Sequence, residues 1–144
     1  MSSIALAIFL VLAVIAALHA AWSFGLRWPA RDERSLVALV IGATGRSRMP
    51  AMAQCLIAAA AIFAAGVVAL ALAGVIAVPL PAIMITAAGV LTALVFAGRG
   101  LAAYVPAWRR RYGQQPFATL DRNWYGPLCL LLAAGFIVLT IGRV

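Results

Sequence analysis

The chain has 144 residues, 67% of them hydrophobic and 10% charged, with eleven basic residues against three acids for a formal charge of +8. A mean hydropathy of +1.12 lies far outside the soluble range and leaves no room for a separate soluble domain. Because the basic residues, all of them arginine, border apolar stretches, anionic lipid headgroups rather than nucleic acid are the expected partner.

The first apolar stretch, Ile4 to Phe24, has no charge over its length. At ~1.5 Å rise per residue it spans ~31 Å, enough for a hydrocarbon core of ~30 Å. Met1-Ser2-Ser3 ahead of it carries no Arg or Lys, and the run is longer than the apolar core of a signal peptide, so a retained helix is expected. His19 and Trp22, three positions apart, share a face near its end.

The first connector, Gly25 to Pro50, holds Arg27, Arg31, Arg34, Arg46 and Arg48 with Asp32 and Glu33. Inside it, Ser35 to Gly42 is an apolar run too short to span, expected at the interface as a short helix or a strand-like flap. Ala51 to Gly74 forms the second span, with Gln54 and Cys55 in its opening turns and overlapping small-residue repeats at Ala58, Ala61, Ala65, Ala69 and Ala73. Val75 to Pro81 is an uncharged turn with two prolines.

The third span, from Ala82, carries Gly89, Ala93 and Ala97 at every fourth position and continues to about Tyr104, where Pro106 stops or kinks it. Small residues in such rows let helix backbones approach closely. The third connector brings Arg99, Arg109, Arg110, Arg111 and Arg122 against Asp121, and its Trp108 to Tyr112 has the composition of an interfacial anchor. Trp124 to Ile141 is the fourth span. Asp121 stands where an N-cap would, and Pro127 lies in the opening turns.

The expected fold class is all-α: a transmembrane four-helix bundle with a short interfacial segment between helices 1 and 2. It forms a single integral membrane domain over 1–144, with helices at about 4–24, 51–74, 82–104 and 124–142. Ten of the eleven arginines lie in connectors one and three, which share a side in a four-pass topology. The positive-inside rule puts that side in the cytoplasm and both termini outside, with the inner (cell) membrane as the expected location. Arg143 alone dissents.

That topology gathers His19, Trp22, Arg99, Asp121, Trp124 and Tyr125 at one depth, as a candidate ligand-binding or structural network. Asp121 is the sole acid of the second half. Because an ionisable group at the membrane border is tolerated when paired, Arg99 and Asp121 are expected to pair, with a phosphate as the alternative partner for Arg99. No catalytic set is visible. Cys55 and Cys129 fall in no CxxC spacing, and one histidine, two cysteines and three acids argue against a zinc site. A single histidine leaves haem only with a different second axial group or shared across a dimer, so no cofactor is expected.

His19-Ala20-Ala21-Trp22-Ser23-Phe24-Gly25, Gly98-Arg99-Gly100 and Asp121-Arg122-Asn123-Trp124-Tyr125-Gly126-Pro127-Leu128-Cys129 resemble the HxxW, Arg and D-x-x-x-Y-x-P-L-C elements of the DUF3995 family, over nearly the whole chain. The resemblance implies a small four-span bacterial or archaeal membrane protein of unassigned activity. It singles out His19, Trp22, Arg99, Asp121, Tyr125 and Pro127 without giving them a role. The residues themselves favour a binding or accessory protein over an enzyme, taking a lipid-like or other small amphiphile at the cytoplasmic end, alone, as a homodimer or in a larger membrane complex. The alternatives are a membrane oxidoreductase using haem or quinone with His19 as ligand or relay, and a small dimeric transporter.

Overall fold

A computed structural model describes residues 1–143. It is all-helical among those residues: α1 (Ser2–Ser23), α2 (Glu33–Val40), α3 (Met52–Leu72), α4 (Ala82–Ala102), α5 (Pro106–Arg111), α6 (Phe117–Leu120), a π-helical turn (Asp121–Tyr125) and α7 (Gly126–Ile141). Four helices are long and apolar enough to cross a membrane: α1, α3, α4 and the continuous Phe117–Ile141. The protein is a multi-pass membrane protein built as a four-helix bundle.

The chain folds as two antiparallel hairpins, α1 against α3 and α4 against α7, laid side by side. Their shared core is Ala5, Ile8 and Leu12 of α1, Ala69 to Leu72 of α3, Ile85 and Ala93 of α4, and Leu132, Phe136 and Leu139 of α7. The outward faces are also apolar, with Leu10, Ile57, Leu91 and Leu131 all exposed. In water such faces would be costly, but against acyl chains they carry no penalty. Close packing must therefore hold the helices together, and the small residues supply it. Ala65, Ala69 and Ala73 turn inward on α3 and Gly89 and Ala93 are buried on α4, while Ala61 faces outward.

One close crossing lies at the arginine-rich end. A Cβ on Gly100 would stand 2.7 Å from Leu130 Cγ and 2.9 Å from the Gly126 carbonyl oxygen, and one on Gly126 would stand 2.9 Å from Ala103 Cβ. The two backbones touch there, which brings Arg99 on α4 beside Asp121 on the other helix.

Two expectations about boundaries change, and one open choice closes. The fourth span begins at Phe117, so Asp121 lies within a helix rather than at its N-cap and makes no capping bond. The third span ends at Ala102, before Tyr104, and Pro106 opens α5 as its first residue, where its missing N–H costs nothing. The Ser35–Gly42 segment is helical. Asp32 caps it by accepting from Ser35 N–H at 2.8 Å, and Leu36 and Val37 are fully buried beneath the bundle. Gly42, at φ +66°, ends α2 in the left-handed conformation, and Phe117 occupies the space a Cβ would need.

At the opposite end Arg143 reaches back to α3. Its Nη1 donates to the Ala71 carbonyl at 2.6 Å, at a helix C-terminus where cations are favoured. This bond accounts for the one arginine outside the connectors.

Candidate functional site

Arg99 and Asp121 pair as expected, with Arg99 Nη2 donating to Asp121 Oδ1 at 2.6 Å. The second carboxylate oxygen accepts from Trp108 Nε1 at 3.0 Å. Arg99 in turn lies over the Trp108 ring, 5.0 Å from its centroid. Three elements, α4, α5 and the π turn, thus converge on one carboxylate that is only 3% exposed. Desolvating a carboxylate is expensive unless its oxygens are satisfied, and here both are. The guanidinium is not fully satisfied: Nη1 is shielded and has no acceptor among the described residues, although 31% of the side chain remains exposed.

The aromatic wall continues away from the pair. Trp108 and Tyr112 have ring centroids 4.2 Å apart, and Arg111 lies over Tyr112 at 5.9 Å. An Arg–Trp–Tyr–Arg ladder therefore runs from the buried pair to the surface. Each guanidinium–ring step is attractive through the ring quadrupole.

The π turn explains how Asp121 is presented. Gly126 N–H bonds the Asp121 carbonyl, five residues back, and Pro127 then has no N–H to give. In the π register that missing donor would have served Arg122, whose carbonyl instead accepts from Tyr104 Oη at 3.0 Å. A neighbouring helix end thus satisfies a backbone group that proline leaves free, as the membrane requires.

Tyr125 reaches the other connector. Its hydroxyl donates to the Leu39 carbonyl at 3.2 Å and its ring packs on Phe117, tying α2 to the start of the fourth span. Tyr125 therefore belongs to the architecture beneath the pair. Trp124 is 70% exposed on the outer surface and touches none of these groups.

His19 and Trp22 form a separate cluster at the end of α1. The His19 ring lies 5.0 Å from Trp22, its Nδ1 is 2.8 Å from the Ile15 carbonyl in its own helix, and Trp22 Nε1 donates to the Trp28 carbonyl at 2.8 Å. None of these bonds reaches Arg99 or Asp121, so the six sequence candidates divide into a pair, a strut, an outward ring and a second cluster. Trp108 and Tyr104 join the site, although the sequence pattern puts Trp108 at the membrane interface and Tyr104 only at the closing end of the third span. The signal for Trp108 was its place in the same connector as the lone late acid, but nothing in the spacing aims an indole at a carboxylate. Among the described residues no three His, Cys, Asp or Glu side chains converge as metal ligands.

Comparison with known proteins adds one match. The model of a family described as a protein of unknown function, DUF3995, covers residues 12–136. No curated protein and no solved structure matches the chain.

Proposed function

Given that the chain belongs to the DUF3995 family, we propose from its own chemistry that it is a non-catalytic membrane bundle that holds the anionic headgroup of a membrane amphiphile at its arginine-rich end. The observation that carries this reading is Arg99. Its guanidinium is held in place by Asp121 and Trp108 at the end of α4, and 31% of the side chain stays exposed. A phosphate or carboxylate oxygen from outside the chain can meet the exposed part of that side chain.

The surroundings support the same chemistry. Ten arginines face three acids at this end, a balance that attracts anionic lipid. By the positive-inside rule this end is cytoplasmic and both termini lie outside, and we take the membrane to be the inner (cell) membrane.

The test is native mass spectrometry of protein extracted from membranes that contain both zwitterionic and anionic phospholipid. Wild type is expected to keep anionic lipid through delipidation. Asp121→Asn keeps it too, because Arg99 remains. Arg99→Gln combined with Asp121→Asn, which strands no carboxylate, loses it. Equal retention by the double variant, at unchanged helicity, would rule this function out.

A further inference from the structure

The two connectors fasten to each other at a place distinct from the Arg99 pair. Thr44 donates twice to the Arg111 carbonyl, from N–H at 3.1 Å and from Oγ1 at 3.3 Å, and Gln114 N–H donates to the Gly42 carbonyl at 3.1 Å. These bonds enclose a cleft of ≈ 400 Å³ lined by Ile41, Ala43, Thr44, Arg46, Arg111 and Tyr112. Each connector contributes one arginine to its lining.

Both arginines are partly oriented and neither is neutralised. Arg46 Nε donates to the Arg48 carbonyl at 2.9 Å, which uses one edge of the group and leaves its terminal nitrogens free. Arg111 lies over the Tyr112 ring. The three acids are all engaged elsewhere: Asp32 on Ser35 N–H, Glu33 on Met49 N–H, and Asp121 on Arg99 and Trp108. Two uncompensated guanidiniums across a small cleft repel each other unless an anion lies between them.

We propose that this cleft is a phosphate-binding site. Arg46 and Arg111 grip the phosphoryl oxygens from opposite connectors, and the Tyr112 ring and Ile41 form walls for whatever the phosphate is esterified to. Guanidinium groups match phosphate because their planar donor fork can give two parallel bonds to two of its oxygens. The cleft accommodates a phosphate or diphosphate with a small substituent, not a long chain, so any acyl or isoprenoid tail must leave through its mouth. The site does not depend on the reading of Arg99, since the residues are different.

The phosphate could be a lipid headgroup or a soluble ion, and two arms of one experiment separate them. In the first, the full-length protein in nanodiscs of purely zwitterionic lipid is titrated with inorganic phosphate and with pyrophosphate by calorimetry. In the second, nanodiscs doped with phosphatidic acid are delipidated and weighed by native mass spectrometry. Saturable binding in the first arm identifies a soluble ligand, and selective retention in the second identifies a headgroup. In whichever arm binds, Arg46→Gln and Arg111→Gln each weaken it at least about tenfold, the loss expected for one charge-assisted contact. Arg109→Gln, on the same short helix but outside the cleft, leaves it unchanged. Binding in neither arm, binding indifferent to Arg46 and Arg111, or an equal loss with Arg109→Gln would each overturn the proposal. Thermal melting of every variant shows whether the fold survives, and because both arginines are exposed, wild-type melting is expected.

Discussion

Removing the two partners of the Arg99–Asp121 pair should have very different consequences. Asp121 is buried with both oxygens occupied, so Arg99→Gln leaves a carboxylate in a low-dielectric site with the neutral Trp108 N–H as its one remaining donor among the described residues. Stranding one member of a buried pair costs ~3–5 kcal/mol, and ~4 is reasonable here because the indole N–H persists. Asp121→Asn strands no charge in the same sense. Arg99 is 31% exposed and its stem lets the guanidinium turn toward headgroups, so the cost is about that of a hydrogen bond to a charged group, ~2 kcal/mol. The double substitution removes both charges together and should cost ~2 kcal/mol, well below the ~6 that additivity gives. Reversible unfolding in mixed micelles, with increasing SDS and far-UV circular dichroism as the readout, measures all three. An additive double variant would show that the pair is not coupled, and equal costs for the single variants would show that burial of Asp121 is not what Arg99 offsets.

Three further outcomes follow from the packing and the caps. Gly100→Ala should destabilise by ~1–3 kcal/mol because its Cβ would press on the Gly126 carbonyl, whereas Gly98→Ala, whose Cβ meets open space, should be neutral or slightly stabilising; the same SDS titration compares them. Gly42→Ala should detach α2, since the new Cβ would collide with Phe117 at a left-handed residue, and trypsin should then cut the first connector faster than in wild type. The Asp32 carboxyl is held below its ordinary value of 3.8, chiefly by the backbone N–H of Ser35 and next by that residue's side chain. A lowered folded-state value means that its support for α2 is fully present above about that ordinary value and is lost as pH falls through the lower one. Amide exchange of α2, corrected for intrinsic rates, should therefore show steady protection from neutral pH down to mildly acid conditions and a drop below it, while Asp32→Ala should lower protection at every pH.

Much of the architecture could be read from the residues because lipid imposes a simple rule. A segment without charge that is long enough to cross must be a helix, since its backbone has no other donors and acceptors to meet. The four spans and the Arg99–Asp121 pair follow from that rule, the pair because a lone late carboxylate near the border needs a cation. Boundaries were less legible where the chain leaves the hydrocarbon. Asp121 resembles an N-cap in sequence, yet Phe117 and Leu120 carry the helix past it, because Phe117 can bury itself against Gly42 of the other connector. That contact lies 75 positions away in the chain, and no local pattern announces it.

The placement of Trp108 follows a similar logic and bears on what the site is for. In sequence, an indole beside three arginines has the composition of an interfacial anchor, and its polar tip would then face headgroups. Here the short helix opened by Pro106 folds the ring back over Arg99, and the tip is given to Asp121 instead. An anchor needs neither a buried carboxylate nor a second aromatic stacked behind it, yet Tyr112 and Arg111 continue the same ladder outward. The arrangement links the end of α4, the π turn and the connector surface through contacting side chains, and the Trp108 ring itself backs Tyr112 and Arg111 at the cleft. If so, Trp108→Leu, which removes the ring between the two guanidiniums while keeping an apolar side chain, should weaken anion binding at Arg46 and Arg111 without touching either arginine. Unchanged binding in that variant would mean that the ladder is only packing.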